Sequence, residues 1–120
     1  MATGLENLII YNLAELLEID VHKLTNSFPQ DEKYRSINQI KRSSASVCNN
    51  IAESYNKQTN KQKLQYLYIA KAEAEETKRN LIRSTKKGFV PTNKTNETID
   101  KYTELLKAIS GYIKFIKNKQ

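Results

Sequence analysis

Five polar residues, Gln39, Arg42, Ser46, Asn50 and Glu53, follow one another at spacings of three and four inside the stretch "INQIKRSSASVCNNIAESY". That spacing puts all five on one face of a helix. A guanidinium, a carboxylate, two amides and a hydroxyl in a row could orient a substrate, or could hold one helix level with another. Beside them runs an apolar row, Ile37, Ile40, Ser44, Val47, Ile51 and Tyr55, so partial burial of the polar stripe is expected. A buried guanidinium needs a carboxylate, because stranding it costs about 3–5 kcal/mol. If the chain reverses near Gln58, Arg42 comes level with Ala74, and Glu73 or Glu76 is its expected partner. On these grounds the stripe is read as a structural network fixing helix register or a subunit contact, in preference to a catalytic group.

Little other chemistry is available. A di-metal site of the helical-bundle type needs Glu-x-x-His pairs, yet the single histidine, His22, belongs to no such pair. With no His after position 22, a helical ribonuclease built on Arg followed closely by His is excluded as well. There is no glycine loop to cradle phosphate, no Ser/His/Asp grouping and no Cys/His pair. The one cysteine, Cys48, sits among small residues and reads as a small core residue, not a nucleophile. The expectation is a protein that is not an enzyme and holds no metal or cofactor.

Charge carries the remaining functional signal. Residues 1–56 contain five Lys/Arg against seven Asp/Glu, whereas residues 57–120 contain fifteen against six, so the net charge of +7 belongs to the second half. Lys71, Lys78, Arg79, Arg83, Lys86 and Lys87 fall on one predicted helix, and Lys114, Lys117 and Lys119 close the chain. Such surfaces contact phosphates and bind nucleic acid with strong salt dependence and weak sequence preference; the alternative is a basic surface serving solubility alone. If the last two helices run antiparallel, these cations form two patches, the second joined by Lys57, Lys61 and Lys63.

The elements that must position these groups are helices. Only three glycines and two prolines interrupt 120 residues, which favours long helices in one domain spanning 1–120. The first helix shows Leu13, Leu17, Val21, Leu24 and Phe28 on one face, widened near its start by Leu5, Leu8, Ile9 and Leu16, and ends near Ser27. Pro29 fits the first turn of a second helix, with Asp31 and Glu32 at its positive pole. Thr59 and Gln62 match a capping box at the start of a third, whose inward residues are Leu64, Leu67, Ala70, Ala74, Thr77 and Leu81. Gly88 suits the position just past its end. The fourth carries Ile99, Tyr102, Leu106, Ile109, Ile113 and Ile116, with a second seam of Leu105, Tyr112 and Phe115 that is either a wider core face or an oligomer interface. The small run Ser43, Ser44, Ala45, Ser46 permits close helix approach. Short links give an all-α, antiparallel up-down-up-down four-helix bundle. No apolar run is long enough to cross a membrane and no secretory signal opens the chain, so a cytoplasmic protein is expected.

The stretch from Phe28 to Leu81 resembles the four-helix bundle proteins encoded in intervening sequences of bacterial large-subunit ribosomal RNA genes. The matching residues are Phe28, Pro29, Gln39, Arg42, Ser46, Val47, Asn50, Ile51, Ala52, Glu53, Tyr66, Leu67, Ala70, Glu76 and Leu81. Ser54 replaces the family's usual Gly, Ala72 and Glu73 replace a Gly-Ser pair, and Thr77 replaces a Leu. The resemblance implies a ring-like homo-oligomer, a pentamer, without established enzymatic activity. A related group, the accessory variability determinant of diversity-generating retroelements, is similar to a basic pentameric barrel that binds nucleic acid and a reverse transcriptase. Structured RNA or other nucleic acid is therefore the first partner expected, and a protein such as a reverse transcriptase, engaged through the second seam, the alternative.

Overall fold

The computed structural model describes residues 4–5 and 8–119. Four helices make up the body: α1 (Ile9–Leu24), α2 (Asn38–Asn56), α3 (Asn60–Lys86) and α4 (Thr92–Lys117). Each packs on its sequence neighbours and α1 closes against α4, giving an antiparallel four-helix bundle with extents of 47 × 25 × 25 Å.

Local chemistry explains the boundaries. The Thr59 hydroxyl accepts a hydrogen bond from the Gln62 backbone N–H at 3.1 Å, satisfying a donor that the first turn of α3 leaves free. Past its end, Gly88 adopts φ +79°, a left-handed conformation that side chains resist, while the Gly88 and Phe89 amides bond to Thr85 and Ser84 carbonyls at 3.0 Å. Lys63 reaches back across the α2–α3 link, and its ammonium donates to the Ser54 and Tyr55 carbonyls at 3.3 Å, closing the exposed end of α2.

The entry into α2 differs from the sequence expectation of a regular helix starting at Pro29. Pro29 is extended, a 3-10 turn runs over Gln30–Glu32, a π-helical turn over Lys33–Ile37, and regular α-helix begins only at Asn38. The Ser36 hydroxyl donates to Glu32 at 2.6 Å across that turn.

The core is built from Leu17, Val21, Ile40, Val47, Ile51, Leu67, Leu81, Tyr102, Leu105 and Ile109 with Ala14, Ala70 and Ala74 between them. Two sequence expectations change here. Ile9 and Leu16 do not widen the buried face of α1: they are 77% and 62% exposed, and Ile10 and Ala14 take the inward positions in line with Leu17 and Val21. Leu105 is fully buried inside the single chain, so its side chain cannot serve as an oligomer contact. It lies three residues from Tyr102 and four from Ile109, in the row that faces the bundle axis.

Small polar residues supply the closest helix approach. Ser43, Ser44, Ser54, Thr77 and Ser84 are all buried. The Ser43 and Thr77 hydroxyls meet at 2.7 Å between α2 and α3. Since Thr77 also donates to the Glu73 carbonyl at 2.9 Å, the Ser43 proton points at Thr77.

Candidate nucleic-acid interface

The polar stripe of α2 splits along its length. Arg42 Nη2 lies 3.7 Å from Glu76 Oε2, Ser46 Oγ donates to Glu73 Oε2 at 3.1 Å, and Asn50 Nδ2 donates to the Ser46 carbonyl at 2.8 Å and hydroxyl at 3.0 Å. The first two contacts hold α2 and α3 in one register, and the Asn50 bonds stay within α2. Their depth is less than the sequence suggested. Gln39, Arg42 and Glu53 are exposed, the Arg42 side chain at 61%, and only Ser46 and Asn50 are partly buried. Glu53 turns along its own helix to Lys57 at 3.4 Å. The narrow, Ser- and Ala-lined contact between α2 and α3 leaves room inside for hydroxyls only, and long side chains leave at the rim.

Cys48 is free and buried. Burial foremost, and then the neighbouring Glu18 carboxylate, push its thiol well above the ordinary range, which suppresses the thiolate a nucleophile would need. Among the described residues, no cluster of three or more His, Cys, Asp or Glu side chains is placed to hold a metal ion. None of the helices there is long and apolar enough to cross a membrane.

The cations gather at the two ends of the bundle. At one end, the α1–α2 link meets the α3–α4 link. The Phe28 and Phe89 ring centroids are 5.6 Å apart, and the Ser27 hydroxyl donates to the Phe89 carbonyl at 3.3 Å. That contact brings Lys33 and Arg35, from the acidic half of the sequence, to the end where Lys86 and Lys87 emerge. Glu32 lies among them, its carboxyl held below the usual range by Ser36 first and, more weakly, by Arg35 and Lys87.

The six cations from Lys71 to Lys87 do not form one face. Lys71 and Lys78 are two turns apart in one row, Arg79 and Lys86 form the next, and Arg83 and Lys87 lie in a third. Arg83 donates a hydrogen bond to the buried Asn80 side chain.

Lys71, near the middle of α3, belongs with the cations of α4. It lines an open groove of about 360 Å³ between α3 and α4, together with Tyr68, Ser110, Ile113, Lys114, Lys117 and Asn118. On sequence, Lys71 groups with Lys78, Arg79, Arg83, Lys86 and Lys87. The antiparallel pairing of α3 with α4 is what sets it beside Lys114 and Lys117. Lys63, grouped with this patch on sequence, is committed to capping α2, and Lys57 pairs with Glu53 and sits 5.1 Å from the Tyr66 ring centre.

A second groove, of about 430 Å³, opens between the start of α1 and the end of α4 and is lined by Leu8, Ile9, Ile10, Ala108, Gly111, Tyr112 and Phe115. Tyr112 and Phe115 stack with ring centroids 6.1 Å apart, and Phe115 is 55% exposed. Of the seam formed by Leu105, Tyr112 and Phe115, these two rings alone reach the surface. The exposure of Ile9, which completes this apolar surface, was not legible from its spacing, because Ile9 and Ile10 are adjacent and either could have faced inward.

No curated protein matches the chain. The family model described as 23S rRNA-intervening sequence protein matches residues 6–111, nearly the whole bundle; it covers the α2–α3 network and ends before Lys114, Phe115 and Lys117. On that match and the bundle it spans, the chain belongs to the 23S rRNA-intervening sequence protein family.

Proposed function

We propose that this protein is a non-enzymatic, cytoplasmic, self-assembling helical bundle that binds RNA or other nucleic acid through its basic ends. The observation that carries the reading is the convergence of Lys71, Lys114 and Lys117 from two helices on one open groove. Solubility alone asks for dispersed charge, whereas three ammonium groups around one groove concentrate a field suited to a polyanion. Arg79, Lys86 and Lys87 at and near the other end extend the same chemistry, and Lys78 and Arg83 flank them.

Self-assembly is assigned to the apolar groove of α1 and α4, where Ile9, Tyr112 and Phe115 offer a surface that a second copy would cover. A ring repeats each basic end several times, and multivalency then raises affinity without any new contact. A pentamer is the assembly implied by the family resemblance. The second reading, an adaptor for a protein such as a reverse transcriptase, is favoured by the same groove.

Titration of a fluorescein-labelled ribosomal RNA fragment at increasing salt tests the main reading. Steep loss of affinity is expected, with a log–log slope that becomes shallower by about 1–2 in Lys114→Gln/Lys117→Gln. Arg79→Glu/Arg83→Glu/Lys86→Glu should weaken binding with the helical content unchanged. Absence of binding at low salt would leave the adaptor reading in its place. Light scattering on Phe115→Glu should give the monomer mass if the α1–α4 groove joins copies.

A further inference from the structure

The geometry points to single-stranded nucleic acid as the ligand of the α3–α4 groove, with one base stacked on the exposed ring of Tyr68 and the flanking phosphates held by Lys71, Lys114 and Lys117; this rests on the nucleic-acid reading above. Tyr68 is 48% exposed although it stands one residue after the fully buried Leu67, so its ring contributes little to the core. The rings of Tyr34, Tyr66, Phe89 and Phe115 each have a lysine ammonium 5.1–5.7 Å from their centres. Among the described residues, Tyr68 has no such cover, even though three lysines share its groove. Lys71 stands one turn from Tyr68 on α3, and Lys114 and Lys117 one turn from each other on α4, so an aromatic face is bordered by cations on both walls.

That combination is the one single strands need. An aromatic platform takes any unstacked base by its π-face, and neighbouring cations track the backbone on either side. A duplex keeps its bases stacked inside and can use only the lysines. Ser110 and Asn118, on the α4 side of the groove, offer hydrogen-bonding groups to a base edge.

Fluorescence anisotropy with the full chain in its native assembly separates the possibilities, using a labelled 12-nucleotide oligo(A) RNA, the same length of single-stranded DNA, and a 12-base-pair RNA duplex. Tyr68→Ala should weaken both single strands about five- to hundredfold and leave duplex affinity within twofold. Tyr68→Phe, which keeps the ring, should bind as the parent does. Lys114→Gln/Lys117→Gln should weaken strands and duplex alike. Equal loss on strands and duplex in Tyr68→Ala, or no loss on either, overturns the stacking assignment while nucleic-acid binding stands. No binding of any of the three by the parent protein overturns both.

Discussion

Tyr102 illustrates how a single group can work against the fold that surrounds it. Its side chain is fully buried, yet its hydroxyl is, among the described residues, a buried polar atom without a hydrogen-bond partner. An unsatisfied hydroxyl costs about 1–3 kcal/mol, so Tyr102→Phe should raise stability by about 1 kcal/mol, or roughly 3–6 °C in Tm, measured by thermal denaturation. Cys48 and Tyr102 also set an alkaline limit. Burial foremost raises both acids above their ordinary values of 9.0 and 10.0, and the nearby Glu18 acts in the same direction on each. A folded value above the unfolded one means the contribution is complete below the unfolded value and declines as pH rises past it. Stability should therefore fall from about pH 9 upward by urea titration, with the first part of the fall removed in Cys48→Ala. For the same reason, iodoacetamide should alkylate Cys48 only after denaturant unfolds the bundle.

Between helices, the α2–α3 contact is governed by small hydroxyls more than by ions. Arg42 and Glu76 form a pair washed by solvent at 61% and 36% side-chain exposure, and such pairs contribute about 0–1 kcal/mol. Arg42→Ala should accordingly cost under about 1 kcal/mol by urea denaturation, well short of the penalty for a stranded buried charge. Ser43 and Thr77 are the stronger link, fully buried and 2.7 Å apart. A double-mutant cycle of Ser43→Ala and Thr77→Val should return a coupling of about 0.5–1.5 kcal/mol. The small-residue run on α2 and the inward threonine of α3 were visible as a narrow waist in the chain. Their pairing was not, because a hydroxyl at a spacing of three or four reads equally well as a helix-internal donor to a preceding carbonyl, the alternative that Ser43 has at 3.3 Å to Ile40 when its one proton is not on Thr77.

Over the whole molecule, the bundle is 47 Å long, yet Lys71 of the α3–α4 groove and Lys78 of the other cation group stand only two helical turns, about 11 Å, apart on α3, close to the screening length of about 8 Å at physiological salt. The two groups should therefore reinforce one another at low salt. Calorimetric titration with a 12-nucleotide RNA should find weaker binding in Lys114→Gln/Lys117→Gln than in the parent, with the difference shrinking as salt rises.

Four helices, their links and most of the inward rows could be read from periodicity, because a helix that must bury one face writes that face into its spacing. The cap at Thr59 and the turn at Gly88 were legible for a similarly local reason: each answers a backbone requirement within a few residues. The π-helical entry to α2 was not, since no residue type within Lys33–Ile37 marks such a turn locally. The candidate groove depends on packing in the same way. Charge along the chain could say that the second half is basic, but Lys71 joined Lys114 and Lys117, and Tyr68 was left uncovered beside them, only when α3 and α4 came to lie antiparallel; spacing within one helix carries no record of what stands across from it.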